Sequence, residues 1–394
     1  MLKTPIRNLY FQTQKIFTLI FLAMFWLQKV SCTILRLNLS KRVWTLGVIE
    51  IAGLLSVLSK IIPNSFSYNF GKQFFGYSQY GWHFTHKGSE SLNFFVSLFL
   101  RPFLFAKSIF RSESFLYLGS EGFLYSGIDQ RKFEFKILKW QDKKIVNILT
   151  GSDIRSLKLM TMGQGQDLTE NIASCISMLY PHLLDDDYDN KIKQRCQVIN
   201  TYCDFVFSAP NDQKSYLANE IFFPYLIPDS QFSRNDSKFK DLSTIRIVHA
   251  PSSPLIKGTL VIRSVIKRLK DEGFQIEYIE CSDVANSTVL DLLSDAHIAI
   301  NELYAFLPGV FGLEALSKFC VLVTRANSSL EPGLGIEADE AWVSCESIDL
   351  YEKMRTLLMC TSGLSSIAER GYLWAIENAS EKIAGKRFIN LINS

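Results

Sequence analysis

Between Ile245 and Val323 short β-branched runs alternate with amphipathic stretches, and that alternation leaves few folds open to the chain. The apolar run Ile245–Val248 leads into a loop rich in Pro and Ser that contains Ser252 and Ser253. Lys257-Gly258-Thr259 follows and opens an amphipathic segment, Gly258–Glu272, long enough for about four helical turns. The pattern then predicts a strand at Gln275–Glu280, a helix at Ser287–Asp295, a strand at Ala296–Ile300, a helix at Phe311–Lys318 and a strand at Cys320–Thr324. Strands and helices in strict alternation mean a parallel sheet with crossover helices. A small-residue loop running into a helix N-terminus presents backbone N–H groups, and with Lys257 beside them it suits a phosphate. His249, at the end of the preceding strand, stands where it can join that contact. Glu314 follows a loop ending in Gly312; its carboxylate only accepts, which suits two neighbouring hydroxyls such as those of a ribose. Phosphate and diol sites on one sheet point to a nucleotide-diphosphate ligand.

The first half carries the same alternation less clearly. Val43–Ile49 reads as a strand and Glu50–Ile62 as a helix that stops at Pro63. Leu92–Phe110 reads as a helix or buried segment, and Phe115–Leu118, Phe123–Tyr125 and Ile128–Lys139 as short strands or a strand and loop. Lys144–Leu149 and Phe205–Ser208 read as strands, Leu168–Tyr180 and Asp189–Ile199 as helices. Pro228–Ser243 is polar, turn-rich and without apolar periodicity, as a linker would be. The expected division is a basic, apolar segment 1–40, a first domain 41–230 and a second domain 231–394. Two further carboxylates fall at predicted strand ends. Asp153, in Gly151-Ser152-Asp153-Ile154-Arg155, would orient an acceptor hydroxyl while Arg155 faces a phosphate; the plainer reading is a cap and a structural ion pair. Glu50 would act as general base or sugar ligand, or simply sit favourably in a first helical turn. His83 and His86, in a Gly/aromatic loop, would contribute acceptor contacts or simply be exposed there.

These motifs resemble the C-terminal domain of GT-B glycosyltransferases, in particular bacterial capsule and surface-polysaccharide enzymes related to glycosyltransferase family 4. Lys257-Gly258 matches that group's Lys-Gly pair beside the donor diphosphate, and Glu314-Ala315 its Glu-Ala at the donor ribose. Blocks around Glu50, Phe123, Asp153 and Phe223–Pro228 are similar to capsular glycosyltransferase-like sequences, so the resemblance spans about residues 41–390. It implies an α/β fold of the GT-B kind, two Rossmann-like domains with parallel sheets facing a cleft. It further implies sugar transfer from a nucleotide-diphosphate sugar to a glycan or lipid-linked acceptor, with retention and without a metal or other cofactor. Ser252 and Ser253 stand where the group often has an Arg, and Leu316–Val321 lacks its usual Gly and Pro. A non-catalytic scaffold of the same fold, and a nucleotide-sugar 2-epimerase, are the alternatives.

Charge separates the N-terminus from the rest. Residues 1–49 hold Lys3, Arg7, Lys15, Lys29, Arg36, Lys41 and Arg42 and no acid, although the whole chain carries only +3. The remaining body is thus slightly acidic, with no basic stripe interleaved with aromatics, which argues against nucleic acid as a partner. The apolar run Ile16–Leu27 is too short to span a bilayer. It reads as an anchor on an anionic membrane surface, as a buried helix or as a signal sequence. The anchor reading puts the protein in the cytoplasm on the inner face of the cell membrane, and lets residues 1–40 be removed without loss of fold. No HExxH, DxD or GKS/T motif is present, the eight cysteines form no CxxC pair, and both features fit metal-free chemistry with reduced thiols. Gly333-Leu334-Gly335-Ile336-Glu337-Ala338 matches GxGxxA but follows no strand, so it is not read as a dinucleotide site.

Overall fold

The computed structural model describes residues 3–35, 42–71, 84–85, 90–124, 127–162, 170–223 and 225–394. His83 and His86 lie outside them. Strands β1 (Arg42–Val48), β2 (Ser65–Asn69), β3 (Phe84–Thr85), β4 (Ser112–Leu118), β5 (Lys144–Ile148), β6 (Phe205–Ser208) and β7 (Ile221–Phe222) form one parallel sheet ordered β3-β2-β1-β4-β5-β6-β7. Strands β8 (Ile245–His249), β9 (Ile276–Glu280), β10 (Ile298–Ile300), β11 (Val321–Thr324) and β12 (Val343–Ser344) form a second, ordered β12-β11-β10-β8-β9 and also parallel. The order reverses between β1 and β4 in the first sheet and between β8 and β10 in the second. At such reversals the neighbouring loops diverge and leave a crevice beyond the carboxyl ends of the strands. The loops after β1, β8 and β10 carry Glu50, Lys257 and the approach to Glu314.

Helices α1 (Lys3–Leu35), α2 (Leu54–Ile61), α3 (Glu90–Arg111), α4 (Lys132–Trp140), α5 (Leu157–Met162), α6 (Ile172–Leu179) and α7 (Asp186–Tyr202) belong to the first half. In the second half are α8 (Thr259–Asp271), α9 (Asn286–Asp295), α10 (Gly309–Ser317), α11 (Ala338–Ala341), α12 (Leu350–Met359), α13 (Leu364–Ala379) and α14 (Ala384–Asn393). In α8 the buried side chains Ile262, Val265, Ile266 and Leu269 recur at three- and four-residue steps, and Arg268 and Lys270 in its last turn complement the helix dipole. One face of the first sheet packs with Phe105, Phe135 and Ile199, the other with Leu54, Leu58 and Phe388.

Three expectations need correction. Lys132–Trp140 is helical, not strand or loop, because Phe135 and Leu138 turn inward together and the preceding Gln130 and Arg131 make a left-handed turn. The stretch Ile16–Leu27 is not a loose tail: Phe17, Phe21 and Phe25, spaced four apart on α1, are buried in the first domain's core. Phe21 lies 5.0 Å from Phe105 and Phe25 lies 5.1 Å from Phe110, ring centroid to centroid. Residues 384–393, assigned by sequence to the second domain, form a helix that returns to the first, where Phe388 sits 5.0 Å from Phe207. The outgoing crossing at Ile227 and the returning one at Ser380 pair as a parallel bridge: Ile227 N–H donates to Ala379 O at 2.8 Å and Glu381 N–H to Ile227 O at 3.1 Å.

Candidate functional site

The loop from β8 to α8 is fixed by His249. Its buried ring joins Ile300 O through Nδ1 at 2.8 Å, which must be the protonated nitrogen, and meets the Thr259 hydroxyl through Nε2 at 2.9 Å. Burial holds its pKa below the ordinary histidine value, so the neutral ring is the working form. His249 and Thr259 therefore brace the loop rather than face a ligand. Ser252 is exposed on the loop, and Ser253 accepts the Lys257 N–H through its backbone oxygen at 3.0 Å. Gly258 caps α8 at φ +78°, a left-handed conformation natural to glycine; a Cβ there would lie 2.9 Å from Leu303 Cδ1. Leu303 thus covers the start of α8. Beside it, Lys257 Nζ lies 2.7 Å from the carboxylate of Glu302, which is 5% exposed and reaches toward Gly309 at the head of α10.

Glu314 is buried one turn into α10, where Asn286 Nδ2 donates to it at 2.7 Å. Gly312 lets α10 lie close against Asn301 and Leu322, so its presence is a packing requirement. Across from Glu314 stand Ala52, Gly53, Tyr225 and Gln231, which line a narrow crevice with it and Val310. Glu50 belongs to that same facing loop, but its carboxylate accepts the Leu55 and Ser56 N–H groups at 3.0 and 3.1 Å and so caps α2. The structure therefore brings the Glu50 loop and Glu314 together across the domain gap, with Lys257 at the next loop of the second sheet.

Asp153 and Arg155 are engaged elsewhere. Asp153 accepts the Ser120 N–H at 3.2 Å and the Thr150 N–H at 3.3 Å, tying two loop ends of the first sheet. Arg155 is buried in an ion pair with Asp212 at 2.7 Å, and the other Asp212 oxygen accepts the Phe306 N–H at 2.8 Å. Glu331 then accepts the Asn211 and Asp212 N–H groups at 2.9 and 3.0 Å, so this cluster clips the two halves together. Burial raises the Glu331 pKa. Glu302, Asn286, Asp212 and Glu331 escaped sequence reading; only Glu302, an acid just past a strand, carried a local signal.

Two parallel-sheet α/β domains that face each other across a crevice, with the last helix returned to the first domain, define the GT-B fold. Solved structures agree with it over nearly the whole chain. HepE from Anabaena, solved with UDP and glucose, superposes with a TM-score of 0.55 at 10% identity, covering 90% of this chain and 100% of its own. Sucrose-phosphate synthase from Thermosynechococcus elongatus gives 0.56 at 10% identity, covering 90% and 98%. A glycosyltransferase from Rickettsia africae gives 0.55 at 11% identity, again covering 90% and 98%. No family model matches the sequence, and no curated protein matches it.

Proposed function

We propose that this chain is a glycosyltransferase that moves a sugar from a nucleotide-diphosphate donor to a glycan or lipid-linked acceptor, in surface polysaccharide synthesis at the inner face of the cell membrane. The observation that carries the reading is the crevice at the sheet reversals, where Glu314 and Val310 face the Ala52-Gly53 loop, with Lys257 on the neighbouring loop of the second sheet. The GT-B neighbour HepE, solved with UDP and glucose, supports a nucleotide-sugar donor. In such a transfer negative charge grows on the β-phosphate as the anomeric bond breaks. In this reading Lys257, released from Glu302, and the positive end of the α8 dipole would stabilise it. Glu314 would hold the ribose, and no metal takes part in this scheme. Retention of anomeric configuration belongs to the same reading.

The decisive measurement is calorimetric titration of the full chain with nucleoside diphosphates, nucleotide sugars and free nucleosides. Binding of a diphosphate is expected, and Lys257→Ala should weaken diphosphates far more than the nucleoside. Equal losses for both would make Lys257 structural. A second reading, a GT-B scaffold without donor chemistry, is favoured by one observation: Lys257 already holds Glu302, and Leu303 lies over Gly258. Folded protein that binds no diphosphate or nucleotide sugar would establish that reading instead.

A further inference from the structure

Helix α1 has two apolar faces. Phe17, Phe21 and Phe25 occupy the inner one. On the outer one Leu19 is 65% exposed and Trp26 59%, with Leu22, Leu27 and Val30 also bare. Alongside it α3 turns Phe99, 55% exposed, and Phe103 outward, one helical turn apart. Gln28 donates to the backbone oxygen of Phe103 at 3.4 Å and joins the two helices. Trp140, exposed at the end of α4, comes within 6.5 Å of Phe25. Monomeric proteins rarely leave so many large apolar side chains together in water.

Charge identifies what covers them. Lys15 and Lys29 lie on the exposed side of α1, and Lys132 and Lys136 are exposed on α4, which packs against α1 through Phe133 and Phe21. The first 49 residues contain no acid. A second copy docked about a two-fold axis would set this cationic rim against itself, whereas an anionic lipid surface complements it. Among the described residues no helix is long and apolar enough to cross a membrane, so the fitting arrangement is a helix lying in the plane of the interface.

We infer that the outer faces of α1 and α3 form a platform that seats the folded first domain on an anionic lipid surface. Leu19, Trp26 and Phe99 enter the acyl boundary while the flanking lysines meet the headgroups. The inference deepens the proposed function, on which it rests for a lipid-linked acceptor, by naming the surface that brings the enzyme to it. It also unites two readings of Ile16–Leu27: the same helix is core on one side and membrane contact on the other.

The test is flotation of the full chain with phosphatidylcholine vesicles, with and without phosphatidylglycerol, alongside UDP calorimetry on the same preparations. The chain should float with the anionic vesicles and be partly released by salt. The triple variant Leu19→Gln, Trp26→Gln, Phe99→Gln should lose vesicle affinity about ten-fold or more while keeping its melting temperature, since the three side chains are exposed. A second variant, Lys15→Gln with Lys29→Gln, should lose the preference for phosphatidylglycerol. No flotation of the wild type, or equal flotation of the triple variant, overturns the inference. So does a dimer in sedimentation that the triple variant dissolves, which would assign the face to a second copy. Vesicle binding without UDP binding would refute only the donor reading, and UDP binding without vesicle binding only the platform.

Discussion

Changing Glu302 to Gln is the sharpest probe of the candidate donor site. In the structure the Glu302 carboxylate holds Lys257 at 2.7 Å, with the lysine side chain 21% and the glutamate side chain 7% exposed. A diphosphate entering at the head of α8 must take Lys257 away from that carboxylate and displace Leu303 from above Gly258. A hydrogen bond to a charged group contributes roughly 1.5–3 kcal/mol. Because the pair is only partly dry, and the amide keeps a weaker hydrogen bond, about 1–2 kcal/mol of that should be recovered as ligand affinity. Glu302→Gln should therefore tighten UDP about five- to thirty-fold, since 1.4 kcal/mol is a factor of ten. Free uridine, which never meets Lys257, should bind unchanged. The unliganded variant should melt a few degrees lower, because Lys257 loses its partner, and UDP should more than restore it. Calorimetry with UDP and uridine, plus melting curves, reads all three quantities. If Glu302→Gln binds UDP no more tightly than wild type, Glu302 does not compete with phosphate and the site lies elsewhere.

Two further outcomes test the fold. Phe21→Ala should destabilise the protein by about 3–5 kcal/mol in denaturant unfolding, because a fully buried ring packed on Phe25, Phe105 and Phe133 is lost; a loss below about 1 kcal/mol would show that α1 is no part of the core. His249 and His297 both have pKa values depressed by burial, so stability is full above the ordinary histidine value near 6.5 and falls as pH drops below it. The slope for each is at most about 1.4 kcal/mol per pH unit, and thermal melts from neutral to mildly acid pH should show it; a flat profile would mean that both rings take up a proton without strain.

The second domain was legible because its strands are continuous β-branched runs and its helices show clean three- and four-residue spacing, as in Ile262, Val265, Ile266 and Leu269. In the first domain KFEFKILKW alternates like a strand at its start, yet the left-handed turn before it launches a helix. Lys257 stands at a helix start as the sequence put it, whereas Glu50 lies in the loop before α2 and Glu314 lies past the first turn of α10, and the partners of all three went unseen. Arg155 looked available because its partner Asp212 lies 57 positions on, and Lys257 because Glu302 arrives only when β10 pairs with β8. Partnerships of that range leave no periodic trace.

The paired crossings at Ile227 and Ser380 make the second domain an insertion into the first, entered and left at one place. A lone tether would let the two bodies tumble; two strands sewn side by side behave as a leaf spring. The crossing does not act alone: the Asp212–Phe306 and Glu331–Asn211 bonds and the Ile172 N–H donated to Tyr304 O also join the halves, so any opening of the crevice has to break or carry them. Helices α1 and α14 ride on the same body, so a label fused at Ser394 would report the first domain's position.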